Sequence, residues 1–403
     1  MADQVTGSGQ EQGGDVFRRR VLYIPGYDPF PPRRYRELYR KEGAAQAAIS
    51  GYALTVEGRV GPGYAWRVTS DMGRPAEAEV EVLVWSDLVQ RSMGQGIAGT
   101  YLLLARTAWV YAASGALRRL VRLRKGPMVA ALYPAVLLVL QAVVAFALAG
   151  VVLWLVPWPL LAWVAAAGTV WAVLAAFRRL DRRFYAYYLM HDYAFTALEG
   201  GAYPAVLEAR LVEFRAKLRA ALGSGVDEVL VVGHSSGAHL AVSVLADLIR
   251  EGVPEGPALG FLSLGQVVPM VSFLPRAGRL RGDLRYLSER EELTWVDVSA
   301  PGDGCTFALC DPVAVSGVAT GGQRWPLVLS AAFSQTLSPE RWQALRRRYF
   351  RLHFQYLCAF DRPEGYDYFR ITAGPVTLAD RFRDRKPSAS RITRAASPYR
   401  DVA

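Results

Sequence analysis

Hydrophobic and polar positions along the chain fall into three patterns. Short apolar or alternating runs occur at Val21–Ile24, Tyr52–Glu57, Tyr64–Thr69, Glu79–Trp85, Glu228–Val232, Gly260–Leu264, Leu293–Val298 and Tyr368–Thr372. Their length and β-prone composition predict strands. Apolar residues at helical spacing, with charges between them, predict helices over 35–50, 204–222 and 237–250. Strands separated by helices imply an α/β fold with a mainly parallel sheet and helices on both faces.

The third pattern is a block of 52 residues, Gly126 to Phe177, without one Asp, Glu, Lys, Arg or His. A bilayer span takes about 20 apolar residues, so the block predicts two spans, about Val136–Val156 and Leu160–Phe177, turning at Pro157-Trp158-Pro159. Trp154 and Trp158 beside the turn suit an interfacial aromatic belt. Arg118, Arg119, Arg122, Arg124 and Lys125 precede the block, and Arg178, Arg179, Arg182 and Arg183 follow it. The positive-inside rule puts both flanks on the cytoplasmic side, so the soluble portions and both termini are expected there, at an inner or plasma membrane. Ser92–Leu120 is apolar but holds Arg106, which argues against a third span. It reads either as a packed helix or as an interfacial one.

These patterns divide the chain into five segments. Residues 1–15 are polar, without an apolar signal-peptide core, and are expected to be disordered. Residues 16–90 form the first part of the α/β domain. Residues 91–195 are a membrane insertion with an interfacial helix, the hairpin at about 136–177 and a juxtamembrane helix. Residues 196–378 complete the domain, and 379–403 are expected to be a disordered basic tail.

Charge changes the picture less than it first suggests. Lys and Arg number 47 against 36 Asp and Glu, giving +11 and a pI near 9.6. Nine of the basic residues flank the apolar block and seven lie in Arg381–Ala403. That placement points to a bilayer and its anionic lipid headgroups as partners, and no nucleic-acid module accompanies it. Three cysteines are too few for a disulfide framework and show no metal spacing with His; no cofactor or metal is expected.

The chemistry-bearing motif lies in EVLVVGHSSGAHLAVSVLADLI, from Glu228, which contains Gly233-His234-Ser235-Ser236-Gly237. This is G-x-S-x-G between an apolar strand and an amphipathic helix, where Gly233 and Gly237 permit a sharp turn that exposes Ser235. Here the sequence resembles the α/β-hydrolase superfamily, over about 21–85 and 200–375. The resemblance implies a lipase- or esterase-like serine hydrolase with the triad order Ser, Asp or Glu, His. Of His191, His234, His239 and His353, only His353 follows the elbow helix, so the resemblance assigns it as general base. The expected acid is Asp303, in Ser299-Ala300-Pro301-Gly302-Asp303-Gly304, with Asp311 the alternative and Asp297 third. The oxyanion donors implied are the backbone amides of Ser236 and Tyr27, the latter after Ile24-Pro25-Gly26, where Pro25 replaces the family's usual histidine.

The family's two antiparallel strands ahead of the oxyanion strand have no room before Val21. Either the sheet is shorter or the 52–69 hairpin takes an edge role. The expected function is cleavage of a small-molecule or lipid-derived ester or thioester through an acyl-enzyme. A non-catalytic membrane scaffold that keeps such a fold is the alternative.

Overall fold

The computed structural model describes residues 16–59 and 63–403; the expectation for 1–15 lies outside them. Eight strands form one sheet: β1 (Phe17–Ile24), β2 (Ala53–Gly58), β3 (Tyr64–Asp71), β4 (Pro75–Val82), β5 (Glu228–His234), β6 (Ala258–Leu264), β7 (Thr294–Ser299) and β8 (Leu327–Ser330). The spatial order is β2-β3-β4-β1-β5-β6-β7-β8. From β4 to β8 all neighbours are parallel, while β2 and β3 add an antiparallel hairpin at one edge. The 52–69 hairpin thus takes the edge role.

β5 is buried at every position, as a central parallel strand must be, and its side chains alternate between two cores. Val229 and Val231 pack with Leu240, Phe261 and Trp295 on one face. Leu230 and Val232 pack with Tyr39, Tyr356 and Phe360 on the other. Between β1 and β5, Arg19 lies beside its register partner Glu228, with Arg19 Nε 2.5 Å from Glu228 Oε2. Arg19 also donates to the Gly374 and Val376 carbonyls, which compensates its burial and anchors the chain beyond residue 373.

The insertion sits between β4 and β5. Two helices in it, Lys125–Leu155 and Pro159–Arg179, are long and apolar enough to cross a membrane. They pack on each other, yet only 22% and 17% of their most apolar stretches are buried. That exposure separates them from the core helices of a soluble protein. Buried positions on the pair include Ala145, Ala149, Ala162 and Ala166, small residues that permit close helix approach. The first helix begins eleven residues before the expected span, at Lys125 instead of Val136. Ser92–Leu120 forms parts of three helices, of which Ile97–Ala113 packs on Ala186–Ala197.

Two expectations are corrected. Tyr368–Ala373 is a helix, because Asp367 caps it by accepting from the Phe369 and Arg370 amides, and this local capping overrides a β-prone composition. The tail is also ordered against the domain: Ile392 bridges to Cys310, the Ser388 amide bonds Val328, and Asp401 pairs with the buried Arg281 at 2.7 Å. Its charges are partly used for docking, which composition does not reveal. Strand β8, four residues after Pro326, was not among the expected runs.

Candidate functional site

Ser235 leaves β5 with φ 56° and ψ −122°, a left-handed conformation costing a non-glycine residue about 1–3 kcal/mol. Its amide donates to the Leu264 carbonyl at 2.9 Å and its carbonyl accepts from the Ala238 amide, after which helix Ser236–Arg250 begins. The flanking glycines are needed for close approach. A β-carbon at Gly233 would lie 2.7 Å from the Ala238 α-carbon, and one at Gly237 would lie 2.1 Å from the Ile24 carbonyl oxygen.

The structure brings Asp303 and His353 together. His353 closes the short helix Tyr349–His353, and its Nδ1 stands 2.7 Å from Asp303 Oδ2. Both side chains are buried. Asp303 also accepts from the Cys305 amide at 2.9 Å and from the Tyr356 hydroxyl at 3.1 Å. A carboxylate so supplied with donors stays oriented toward one imidazole nitrogen. Burial and the Asp303 charge push the Tyr356 phenol well above its usual range, so it remains a donor. Tyr356 was not among the expected site residues; its only sequence signal is its place three residues after His353.

His234 lies under His353, with ring centroids 4.7 Å apart, and its Nε2 is 3.0 Å from the His353 carbonyl oxygen. Burial, and then the neighbouring His353, pull His234 down to about 3. It is therefore a neutral ring that supports the His353 backbone.

The two expected oxyanion positions border the same cavity. Ile24 is in register with Gly233, so the Pro25-Gly26-Tyr27 turn emerges beside Ser235. A β-carbon at Gly26 would lie 2.9 Å from Ser235 Cβ, so glycine is required here for contact with the serine. The turn is held from the insertion side. Trp85 Nε1 donates to the Pro25 carbonyl at 2.9 Å, and the Tyr188 hydroxyl donates to the Tyr27 carbonyl.

The alternative acids lie elsewhere. Asp311 accepts from the Val313 and Ala314 amides as the cap of a short helix and takes a further bond from Gln323. Asp297 is buried in β7, where it accepts from the Ser263 hydroxyl at 2.6 Å. Asp303, Cys305 and His353 offer metal-ligating atoms within 4.8 Å of one another. Two donors on one tetrahedral zinc with bonds of about 2.0 Å stand about 3.3 Å apart, whereas the Asp303–His353 separation of 2.7 Å is that of a hydrogen bond. Burial and the Asp303 carboxylate also push the Cys305 thiol up, away from the thiolate a metal would need.

One titratable group in the cavity was missed altogether. Asp192, on helix Ala186–Ala197, faces the space beside Ser235 and His353. Burial raises it to about 7, opposed by its attraction to His353. No motif surrounds it, so the sequence carried no signal for it.

The cavity measures about 710 Å³ and is bordered by Ser235, His353, Tyr27 and Ser236. Its far wall belongs to the insertion: Val129, Ala130 and Tyr133 come from the first long apolar helix, and Leu189 from the helix after the second. The arrangement gathers a strained, accessible hydroxyl, an imidazole with an oriented carboxylate, and the expected donor residues Tyr27 and Ser236 around one mainly apolar space. No protein-family model, no curated protein and no solved structure matches the chain.

Proposed function

We propose that the chain is a membrane-anchored serine hydrolase of the α/β-hydrolase kind, cleaving an ester or thioester through an acyl-enzyme. The observation that carries this reading is Ser235, at positive φ on a strand-to-helix turn, bordering the same cavity as a His353 that is hydrogen-bonded to Asp303. Support also comes from placement. Tyr27 follows β1, Ser235 follows β5 and Asp303 follows β7, all at the carboxyl ends of parallel strands where open α/β sheets form sites.

In the reaction, Ser235 Oγ attacks the carbonyl carbon while His353 takes its proton, and Asp303 holds the imidazole tautomer. The Tyr27 and Ser236 amides stabilise the oxyanion, the Ser236 amide lying at the positive end of its helix. His353 then protonates the leaving alcohol or thiol, and water releases the acid by the reverse steps.

In this reading the two helices long and apolar enough to cross a membrane anchor the domain, and the positive-inside rule applied to their basic flanks favours the cytoplasmic side. A reporter fused at Trp158 tests that arrangement, with a cytoplasmic signal counting against it. The activity is tested with a fluorophosphonate probe. The wild type should label and Ser235→Ala should not; an unlabelled, folded wild type would sink the reading and favour a scaffold.

A further inference from the structure

Four arginines converge on the rim of the cavity from two segments far apart in the chain: Arg183, and Arg347, Arg348 and Arg351. All four are exposed. Among the described residues none has a side-chain hydrogen bond or an acidic partner, as is also true of exposed Arg106 and Arg119, whereas other arginines are paired. Arg210 pairs with Asp87 at 2.8 Å, Arg215 with Asp247 at 3.2 Å and Arg219 with Glu251 at 2.7 Å. A cluster of unpaired guanidiniums repels itself unless an anion joins it, and the guanidinium fork suits phosphate oxygens.

The rim also lies where a bilayer surface would be. Arg183 is four residues past Arg179, the last residue of the second apolar helix. Beside it, the Tyr133 hydroxyl donates to the Phe184 carbonyl at 2.8 Å, and Val129 and Tyr133 line the cavity while being 64% and 43% exposed. Two residues of the cavity wall are thus also surface residues of the first apolar helix. Behind the rim the walls are apolar and aromatic, including Phe350, Phe354, Leu189 and Met270, and lead to Ser235. At about 710 Å³ the space is within the range of roughly 300–1,000 Å³ that encloses small ligands.

We propose, building on the hydrolase reading, that these four arginines form a phosphate subsite and that the substrate is an acyl phospholipid with an anionic headgroup, taken directly from the bilayer. The headgroup phosphate sits on the rim, one acyl chain enters the apolar cavity, and its ester carbonyl reaches Ser235. Ser235 Oγ forms the new acyl–oxygen bond as the ester C–O bond breaks, His353 passes the proton to the departing lysophospholipid hydroxyl, and water frees the fatty acid.

The full chain is tested in detergent micelles containing phosphatidylglycerol, phosphatidylcholine or diacylglycerol with the same acyl chains, by fatty-acid release. The proposal expects kcat/KM for phosphatidylglycerol at least tenfold above that for diacylglycerol. That ratio should collapse toward one in the Arg347→Gln/Arg348→Gln/Arg351→Gln variant and fall partly in Arg183→Gln, with both proteins still labelled by fluorophosphonate. No anionic preference in a labelled wild type, or a preference that survives the substitutions, overturns the subsite and leaves the hydrolase reading standing. A water-soluble acyl ester bearing a phosphate, if turned over better than the lipid, overturns delivery from the bilayer. Absent labelling together with absent release removes the hydrolase reading itself.

Discussion

Gly126, in the first turn of the long apolar helix, packs against Gly304, the residue after Asp303: a β-carbon at Gly126 would stand 3.5 Å from the Gly304 α-carbon. Just before that helix, the Arg124 guanidinium donates to the Ala308 carbonyl from Nε at 2.9 Å and from Nη2 at 2.5 Å. The root of the hairpin and the loop of the proposed acid are thus one packed unit.

Arg124 is therefore a positioning residue as well as a basic flank, and the two roles separate in Arg124→Lys. Lysine keeps the charge that orients the hairpin but loses the guanidinium fork. A charged hydrogen bond of about 1.5 kcal/mol predicts a roughly tenfold lower kcat with KM little changed. A Trp158 topology reporter should read as in the wild type, and ester kinetics beside that reporter check both halves. A change in topology alone would mean that the contact has no effect on the site.

Asp303 and Asp311 were alternatives for the acid, and their surroundings give them different fates on amidation. Asp303→Asn removes the charge that fixes the His353 tautomer and should lower kcat by about 10³–10⁴-fold. Asp311→Asn keeps a side chain that caps a helix nearly as well as aspartate, so activity should stay within about twofold. Turnover of a chromogenic ester by the two variants decides, and the reverse ranking would reassign the acid.

Much of this site was legible in the sequence because its parts are local. A strand, Gly-x-Ser-x-Gly and a helix are read from consecutive residues, and His353 is the one histidine after them. What stayed hidden is held by contacts across the fold. Tyr356 reaches Asp303 over 53 positions, Tyr188 reaches Tyr27 over 161, and Arg124 reaches Ala308 over 184. Among nine similar flanking basic residues, nothing in the sequence marks Arg124 as the one bonded to the Ala308 carbonyl. Tyr368–Ala373 misleads for the opposite reason, since four of its six residues favour strands while one preceding aspartate sets the helix.

The glycines of the turn make separate predictions. In Gly237→Ala the new β-carbon would overlap the Ile24 carbonyl oxygen at 2.1 Å, and backbone on both sides must move. Loss of about 3 kcal/mol or more is expected, visible as a lower thermal midpoint in detergent. In Gly26→Ala the nearest atom is Ser235 Cβ at 2.9 Å. Displacement of the serine by a fraction of an ångström predicts a kcat loss of about 10–100-fold with fold retained. Unchanged kcat in Gly26→Ala would argue that Ser235 is not held against the turn.

Two buried histidines set an acid limit on stability. Burial depresses both His234 and His239 to about 3, the former also through His353. As pH falls below about 6.5 the unfolded chain takes up these protons first, so their contribution is intact above that value and is lost progressively toward pH 3. Asp297, raised by burial to about 7, acts oppositely, lowering stability as pH rises from about 4 to 7. His239→Gln keeps a partner for the Tyr203 hydroxyl but cannot titrate. Its thermal midpoint should fall less than that of the wild type between pH 6.5 and 4.5, and an equal fall would exclude His239 as a source.

Asp192 gives the site its own sensitivity near neutral pH. Its carboxyl, raised to about 7 by burial, is protonated below that pH and ionised above it, and its charge is coupled to that of His353. Asp192→Asn is expected to remove any inflection near pH 7 from the kcat/KM profile for a neutral ester, because that carboxyl no longer titrates. Asp192→Glu should keep the inflection. An inflection near pH 7 that persists in Asp192→Asn would mean that the carboxyl, although in the same cavity, has no influence on the reaction.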